Sequence, residues 1–200
     1  MEKNFYVCSY GGSGSKMLCN ALQKYGNTKH IHSRRPPNKL EYIGNENGGN
    51  TYVEWFNGIE IPENNIKYYY VIYIYRNPSF SIPSRFTDKY GYPYYKEHLS
   101  HIQVDSSVNF QDVLSSKDDL YKIKEFYDNY MKPSEKRNYK IYCVKYEDIF
   151  EKQDDLSKLL GIGKLNIIDK SQRKNSIKEL DEIYKDLIDE MNSNPSIMIT

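Results

Sequence analysis

A glycine-rich turn between a short apolar run and an amphipathic segment constrains this chain more than any other feature. The run Phe5 to Cys8 favours a buried strand. After the turn, Leu18, Ala21 and Leu22 recur at helical spacing. Because the hydrophobic period changes across the glycines, the sequence predicts a strand, a tight turn and a helix in succession.

The composition of the turn, GGSGS at 11–15, predicts an anion site. Its three glycines lack the Cβ atoms that would keep an anion away from the backbone. Its two serines add hydroxyl donors close to the first N–H groups of the helix, which have no partner within that helix. The candidate ligands of a phosphate or sulfate are Gly11, Gly12, Ser13, Gly14, Ser15 and Lys16.

Two other phosphate-binding motifs fit this turn less well. The loop of nucleotide triphosphatases requires Gly-Lys-Ser/Thr, whereas Lys16 follows Ser15 and Met17 stands where the magnesium-binding hydroxyl would be. The dinucleotide fingerprint G-x-G-x-x-G is not matched either. A magnesium-dependent kinase is therefore the less favoured alternative, and a tight turn without a ligand is the purely structural one.

A second strand-to-helix element carries another candidate phosphate ligand. The run 68–75, YYYVIYIY, is rich in β-branched and aromatic residues, as expected for a central parallel strand. Arg76 follows this strand, and Pro78 suits the first turn of a helix on which Ser84 lies. Arg76 and Ser84 are placed to bind a second phosphate.

The remaining elements complete an α/β pattern. A strand is expected over 139–146 with a helix after it, and a capping box at Ser176 and Glu179 predicts one final helix to Met191. The alternation of strands and helices predicts a doubly wound, parallel sheet in a single domain over 1–200. A strand over 29–32 would place His32 at the carboxyl end of the sheet, where ligands bind.

Composition and charge limit the partners and the cellular compartment that we expect for this chain. A net charge of +1 provides no overall field, so any anion site is local and we expect neither nucleic acid nor a membrane as a partner. The three cysteines, Cys8, Cys19 and Cys143, have no CxxC spacing and cannot all pair, which favours a reducing, cytoplasmic setting. No apolar run approaches the roughly 20 residues that span a bilayer.

Three separated segments resemble the sulfotransferase family. SYGGSGS at 9–15 is similar to the 5′-phosphosulfate loop, and YRNPSFSIPS at 75–84 resembles the 3′-phosphate motif, with Arg76 and Ser84 at the family spacing. VKYEDIF at 144–150 resembles the Tyr-Glu-Asp segment beside the nucleotide, which includes Tyr146. The resemblance implies a P-loop-like, three-layer α/β/α sandwich with a mostly parallel central sheet. It also implies 3′-phosphoadenosine 5′-phosphosulfate as the donor, adenosine 3′,5′-bisphosphate as the product and no metal.

The chain departs from the family pattern at two positions of the loop. Gly12 stands where many members have lysine or arginine, so Lys16 would supply the charge on the leaving phosphate. Met17 stands where cytosolic members have the tryptophan that stacks on adenine. A non-catalytic nucleotide-binding protein is thus the main alternative to an enzyme. The basic pair Arg173 and Lys174 loosely resembles the late phosphate-binding loop of the family.

The candidate catalytic residues are His32, Lys16 and Glu54. The context His-Ser-Arg-Arg resembles the strand-end histidine of cytosolic sulfotransferases, which makes His32 the expected general base. Glu54 is the alternative base, and His98 or His101 would serve only if their segment folded over the site. The acceptor of the sulfuryl group is expected to be a small molecule, a glycan or a tyrosyl peptide, and the sequence does not distinguish these.

Overall fold

The strands form one mixed sheet at the centre of the fold. The computed structural model describes residues 2–43, 52–53, 59–86, 95–168 and 176–200. Its strands are β1 (Lys3–Cys8), β2 (Gly26–Ile31), β3 (Tyr52–Val53), β4 (Tyr69–Tyr75), β5 (Ile141–Lys145) and β6 (Ile197–Ile199). The strand order is β3-β2-β1-β4-β5-β6, in which β1 to β5 are parallel and β6 is antiparallel to β5.

The helices connect the strands and follow the last parallel one. They are α1 (Ser15–Leu22), α2 (Pro78–Phe86), α3 (Tyr95–His101), α4 (Phe110–Ser116), α5 (Ile123–Met131), α6 (Ile149–Leu159), α7 (Lys178–Ile183) and α8 (Lys185–Ser193). Short 3₁₀ turns cover Gln23–Tyr25 and Glu63–Tyr68. No helix within these described ranges is long and apolar enough to cross a membrane.

Helices cover both faces of the sheet, since alternate side chains of each strand enter different cores. On β1, Phe5 and Val7 pack in a core with residues of α1 and α6. Tyr6 and Cys8 pack in a second core with residues of α2 to α5, α7 and α8. The predicted α/β class with a mostly parallel sheet is confirmed, and the arrangement is compatible with three α/β/α layers.

Stacked aromatic rings fill the second core. Tyr73 of β4 stacks on Tyr130 of α5 with the ring centroids 4.5 Å apart, and Phe126 lies 5.2 Å from Tyr130. The buried hydroxyl of Tyr130 donates a hydrogen bond to the Ser33 carbonyl at 2.7 Å. Because such rings bring large apolar areas and a polar tip that finds a partner, a chain with 21 tyrosines builds a core despite its polar composition.

The sheet order places a crevice at the ends of β1 and β4. The chain passes from β1 to β2 on one side and later returns to β4 on the other side, so β1 and β4 are neighbours with Cys8 opposite Tyr73. At such a switch point the two following loops diverge and leave room for a ligand. The glycine turn follows β1 here, and Arg76 follows β4.

The structure differs from the sequence-based expectation at the carboxyl end of the chain. The single helix expected up to Met191 is two helices, α7 and α8, interrupted at Tyr184, whose hydroxyl donates to Asp119 at 3.0 Å. The expected capping box does not form, because the Ser176 hydroxyl donates to Asp181 instead. The short antiparallel strand β6 was not anticipated.

We expect Phe126→Ala to lower the free energy of unfolding by about 3–5 kcal/mol, because it removes a fully buried ring between α5 and β4. Phe126→Leu keeps most of the apolar volume and should cost about 1.5 kcal/mol or less. Urea unfolding of both variants measures the difference. Equal, small losses in the two variants would show that the aromatic stack is not well packed.

Candidate functional site

The glycine turn has a backbone conformation that favours glycine at three positions. Gly11, Gly12 and Gly14 have φ angles of 112°, 69° and 81°, in the left-handed region that favours glycine. Helix α1 follows at once, and its first backbone hydrogen bond joins the Leu18 N–H to the Gly14 carbonyl at 3.1 Å. The first turn of α1 has no acidic residue, and Gly14 supplies no side-chain cap. The positive end of the helix dipole therefore faces this turn without a side-chain counter-charge from the helix.

The missing Cβ atoms of the turn make room for protein groups. A Cβ on Gly12 would lie against the Ser84 hydroxyl and 2.7 Å from the Ser81 carbonyl oxygen, both on α2. A Cβ on Gly14 would lie 2.5 Å from Cε2 of Tyr146. Access for an anion was the expected reason for these glycines. In the structure, the missing Cβ atoms allow α2 and Tyr146 to approach the backbone of the turn.

The second predicted motif meets the glycine turn directly. The Arg76 guanidinium donates a hydrogen bond to the Gly12 carbonyl at 3.3 Å and lies over the Tyr146 ring, 4.3 Å from its centroid. Ser84 donates from its hydroxyl to the Ser81 carbonyl at 2.7 Å, next to Gly12. Arg76, Ser84 and Tyr146, which lie far apart in the sequence, are thus brought together around the turn.

Hydrogen bonds between the chain from Tyr75 to Asn77 and the segment after β5 hold this arrangement. The Asn77 side chain accepts the Ser79 N–H at 2.8 Å and so caps the start of α2. The Asn77 N–H donates to the Glu147 carboxylate at 3.0 Å, and the Tyr146 N–H donates to the Tyr75 carbonyl at 2.8 Å. The Arg-Asn-Pro and Tyr-Glu-Asp segments therefore form one unit beside the glycine turn.

Two histidines lie behind the turn in a chain of hydrogen bonds. Nδ1 of His32 is 2.7 Å from the Ser9 carbonyl oxygen, which can only accept, so this nitrogen carries the hydrogen. The Ser9 hydroxyl donates to the Ser15 hydroxyl at 2.9 Å, and the Ser15 oxygen is 2.5 Å from Nε2 of His30. The Ser15 hydroxyl, expected to bind an anion, is instead turned towards His30.

The histidine cluster also includes His98 and is buried. The ring centroids of His30 and His32 are 4.2 Å apart, and those of His32 and His98 are 5.0 Å apart. Burial, together with the charges of Arg85 and Lys16, lowers the pKa of His30 to about 4. Burial also lowers the pKa of His98 to about 3 and places that of His32 well below its usual value. All three rings are therefore neutral at pH 7.

His30, on the strand that leads to His32, is buried and only 7% exposed. His32 has its Nδ1 hydrogen on the Ser9 carbonyl, so Nε2 is the nitrogen with a lone pair that can take a proton. Lys16 is exposed, and Met17 lies partly buried beside the position that a Gly14 Cβ would take. The predicted residues Glu54, Arg173 and Lys174 lie outside the described residues.

Two further residues contact the turn, of which the sequence analysis named His98 and missed Arg85. His98 of α3 donates from Nε2 to the Tyr10 carbonyl at 2.8 Å, so the segment that had to fold over the site does so at this residue. Arg85 of α2 has its Nε 3.3 Å from the position of a Cβ on Gly11. Arg85 comes directly after Ser84, but neighbouring residues of a helix point in different directions, so no local signal marked it.

Comparisons with known proteins add no relative: no protein-family model, no curated protein and no solved structure matches this chain. In the part of the chain that the structure describes, no group of three histidine, cysteine, aspartate or glutamate residues is arranged to hold a metal ion. The chemistry of the site must therefore be argued from its own residues.

We expect the free energy of unfolding to fall as the pH is lowered from 7 to 5. An unfolded histidine takes a proton over this interval, whereas folded His30 stays neutral until about pH 4. The unfolded state then binds more protons and is favoured by acid, and His30 alone should account for about 2 kcal/mol. Urea unfolding at pH 7, 6 and 5 measures this slope.

The variant that tests this slope is His30→Gln, with the wild-type protein as its reference. Glutamine has no proton to gain over this range, so His30→Gln should flatten the pH dependence by about its own share. A slope that is the same in both proteins would contradict the assignment.

Proposed function

We propose that this protein is a sulfotransferase with a P-loop-like α/β fold, which moves a sulfuryl group from 3′-phosphoadenosine 5′-phosphosulfate to a hydroxyl or amine acceptor. One observation carries the proposal. The two segments that resemble the phosphate motifs of that family touch each other, through Arg76 on the Gly12 carbonyl and Ser84 against Gly12. This contact lies at the carboxyl ends of neighbouring parallel strands, where α/β proteins bind nucleotides.

The charges around the turn fit a doubly anionic nucleotide. The N–H groups at the start of α1 and the Lys16 ammonium would bind the 5′-phosphosulfate. Arg76 and Ser84 would bind the 3′-phosphate, with Tyr146 fixing the arginine by stacking under its guanidinium. Helix α1 offers its positive end here without an acidic residue in its first turn, which favours an anion over a cation.

The donor supplies an activated sulfuryl group, and the residues of this chain orient it and handle charge and a proton. The acceptor oxygen or nitrogen attacks sulfur, the bond from sulfur to the phosphate oxygen breaks, and that oxygen keeps the electron pair. Positive groups on the turn stabilise the charge that develops there. His32 would take the acceptor proton at Nε2, since its Nδ1 hydrogen is held by the Ser9 carbonyl. Glu54 is the second candidate base.

A cytoplasmic setting is part of the proposal. Its support is that Cys8, Cys19 and Cys143 are all buried and unpaired, as is usual for proteins of reducing compartments. Burial raises the pKa of the Cys143 thiol to about 12, so this thiol is protonated and unreactive at neutral pH.

A non-catalytic nucleotide-binding protein is the second candidate, and specific observations favour it. Gly12 brings no cation to the turn, and His32 is only 6% exposed behind the backbone that would face the acceptor. A kinase is less favoured, because Met17 offers no hydroxyl for a magnesium ion after Lys16. Turnover with the phosphosulfate donor, measured over glycans, phenols and tyrosyl peptides, separates the first two candidates.

We expect Arg76→Ala to weaken the binding of adenosine 3′,5′-bisphosphate by about tenfold or more, because a charge-assisted hydrogen bond to the 3′-phosphate is lost. Adenosine 5′-monophosphate lacks that phosphate and should bind nearly as before. Isothermal titration calorimetry measures both affinities.

Arg137→Ala is the matched control for this test. Arg137 also lies over a tyrosine, Tyr139, but close to the start of β5 and hence at the opposite end of the parallel strands. Its loss should leave both affinities unchanged. Equal losses for both nucleotides in Arg76→Ala would make Arg76 structural, and wild-type binding of ATP with magnesium but not of the bisphosphate would favour the kinase.

A further inference from the structure

We infer that Arg85 of α2 binds the sulfuryl-bearing 5′ end of the donor and supplies the positive charge that Gly12 does not bring to the turn. The inference rests on the proposed function and assigns a role to a residue outside both motifs. Two separate anion contacts then come from this part of the chain: Arg76, which precedes α2, and Arg85, which is the penultimate residue of α2.

The first support is the way in which α2 follows the turn. Ser84 lies against the Cβ position of Gly12, and the next residue, Arg85, has its Nε 3.3 Å from the Cβ position of Gly11. Successive residues of α2 thus face successive glycines in reverse order. A guanidinium at this distance from Gly11 lies beside the turn itself, whereas Arg76 enters it from the Tyr146 side.

The second support is the distribution of charge. The rings nearest to Gly11 belong to the histidine cluster, and burial keeps these rings neutral. After burial, the charge of Arg85 also contributes to lowering the pKa of each of the three rings by repulsion. Because a guanidinium does not lose its proton in a protein, Arg85 is the permanent positive charge of this cluster.

The third support is a buried hydroxyl beside the same contact. The Ser81 side chain is fully buried, and its hydroxyl has no hydrogen-bond partner in the part of the chain that the structure describes. Its Cα lies 3.2 Å from the Cβ position of Gly12. Buried hydroxyls without a protein partner are rare, and each one calls for a specific reason. Ser81 and Arg85 lie four residues apart and hence on one face of α2, so this hydroxyl is on the same side of the helix as the guanidinium.

Arg85 and Lys16 differ in what they can do at the turn. Lys16 is exposed on α1, and its ammonium is a flexible, strongly hydrated point charge. Arg85 is partly buried and carries a planar fork that matches two oxygens of one phosphate or sulfate group. Arg85 thus provides the directional contact, and Lys16 provides general positive charge.

Because Arg76 is assigned to the 3′-phosphate and Arg85 to the 5′-phosphate, their loss should have opposite effects on the binding of adenosine 3′-monophosphate and adenosine 5′-monophosphate. Arg85→Ala should weaken adenosine 5′-monophosphate and adenosine 3′,5′-bisphosphate by about tenfold or more, and leave adenosine 3′-monophosphate within about twofold. Arg76→Ala should weaken the 3′-phosphorylated ligands and spare adenosine 5′-monophosphate. Titration calorimetry of both variants with all three nucleotides, and with inorganic pyrophosphate, gives the full pattern.

Two further variants guard against a folding defect. Arg85→Gln keeps much of the length and polarity of the side chain without the charge. If Arg85→Ala has a lowered midpoint of thermal unfolding, the nucleotide affinities of Arg85→Gln are used instead. Arg85→Lys restores the charge without the fork and should recover part of the lost affinity. Unchanged affinity for 5′-phosphates in a folded Arg85→Gln protein overturns the inference, while wild-type binding of the bisphosphate leaves the donor assignment of the proposed function standing.

Wild-type binding also separates the two proposals. A wild-type protein that binds pyrophosphate but no adenosine nucleotide would defeat the donor assignment, and Arg85 is then judged by pyrophosphate affinity alone. A loss of pyrophosphate affinity in Arg85→Gln would support the anion contact in that case. A wild-type protein that binds none of the four ligands overturns both proposals.

Discussion

The site depends on the close approach of α2 to the glycine turn. Gly12 lets Ser81 and Ser84 of α2 lie against its Cα, and the Arg76 guanidinium holds the Gly12 carbonyl from the other side. Any side chain at Gly12 would push α2 away, because the atoms it would meet include backbone of that helix. The turn, the second motif and the crevice between β1 and β4 are thus fixed by one contact that only glycine permits.

Much of this arrangement could be predicted from the sequence because its signals are local. The change of hydrophobic period at 11–15 gave the strand, turn and helix, and the apolar run before Arg76 gave a central strand. Parallel strands bring their carboxyl ends to one edge, so a parallel sheet places both motifs at that edge. The contact between Arg76 and Gly12 requires in addition that β1 and β4 be neighbours.

The features that sequence reasoning missed depend on tertiary contacts. Nothing local to His30 reveals that its ring packs against His32 and hydrogen-bonds with Ser15, so its burial depends on contacts that the sequence does not show. Arg85 gains its importance only from the position of Gly11, which lies more than seventy residues away. The break at Tyr184 forms where a hydroxyl reaches Asp119, and β6 is too short for its alternation to be recognised. Tertiary packing overrides weak local preferences in each case.

The hydrogen-bond chain from Ser9 through Ser15 to His30 has a direction. Each hydroxyl has a single hydrogen, so donation from Ser9 to Ser15 leaves the Ser15 hydrogen for His30, whose own hydrogen is then on Nδ1. The tautomer of His30 is therefore tied to the direction of both hydroxyls, whereas that of His32 is set separately by the Ser9 carbonyl. Reversing the chain would require the hydrogens of Ser9, Ser15 and His30 to move together, so these three groups behave as a single polarised unit rather than as independent groups.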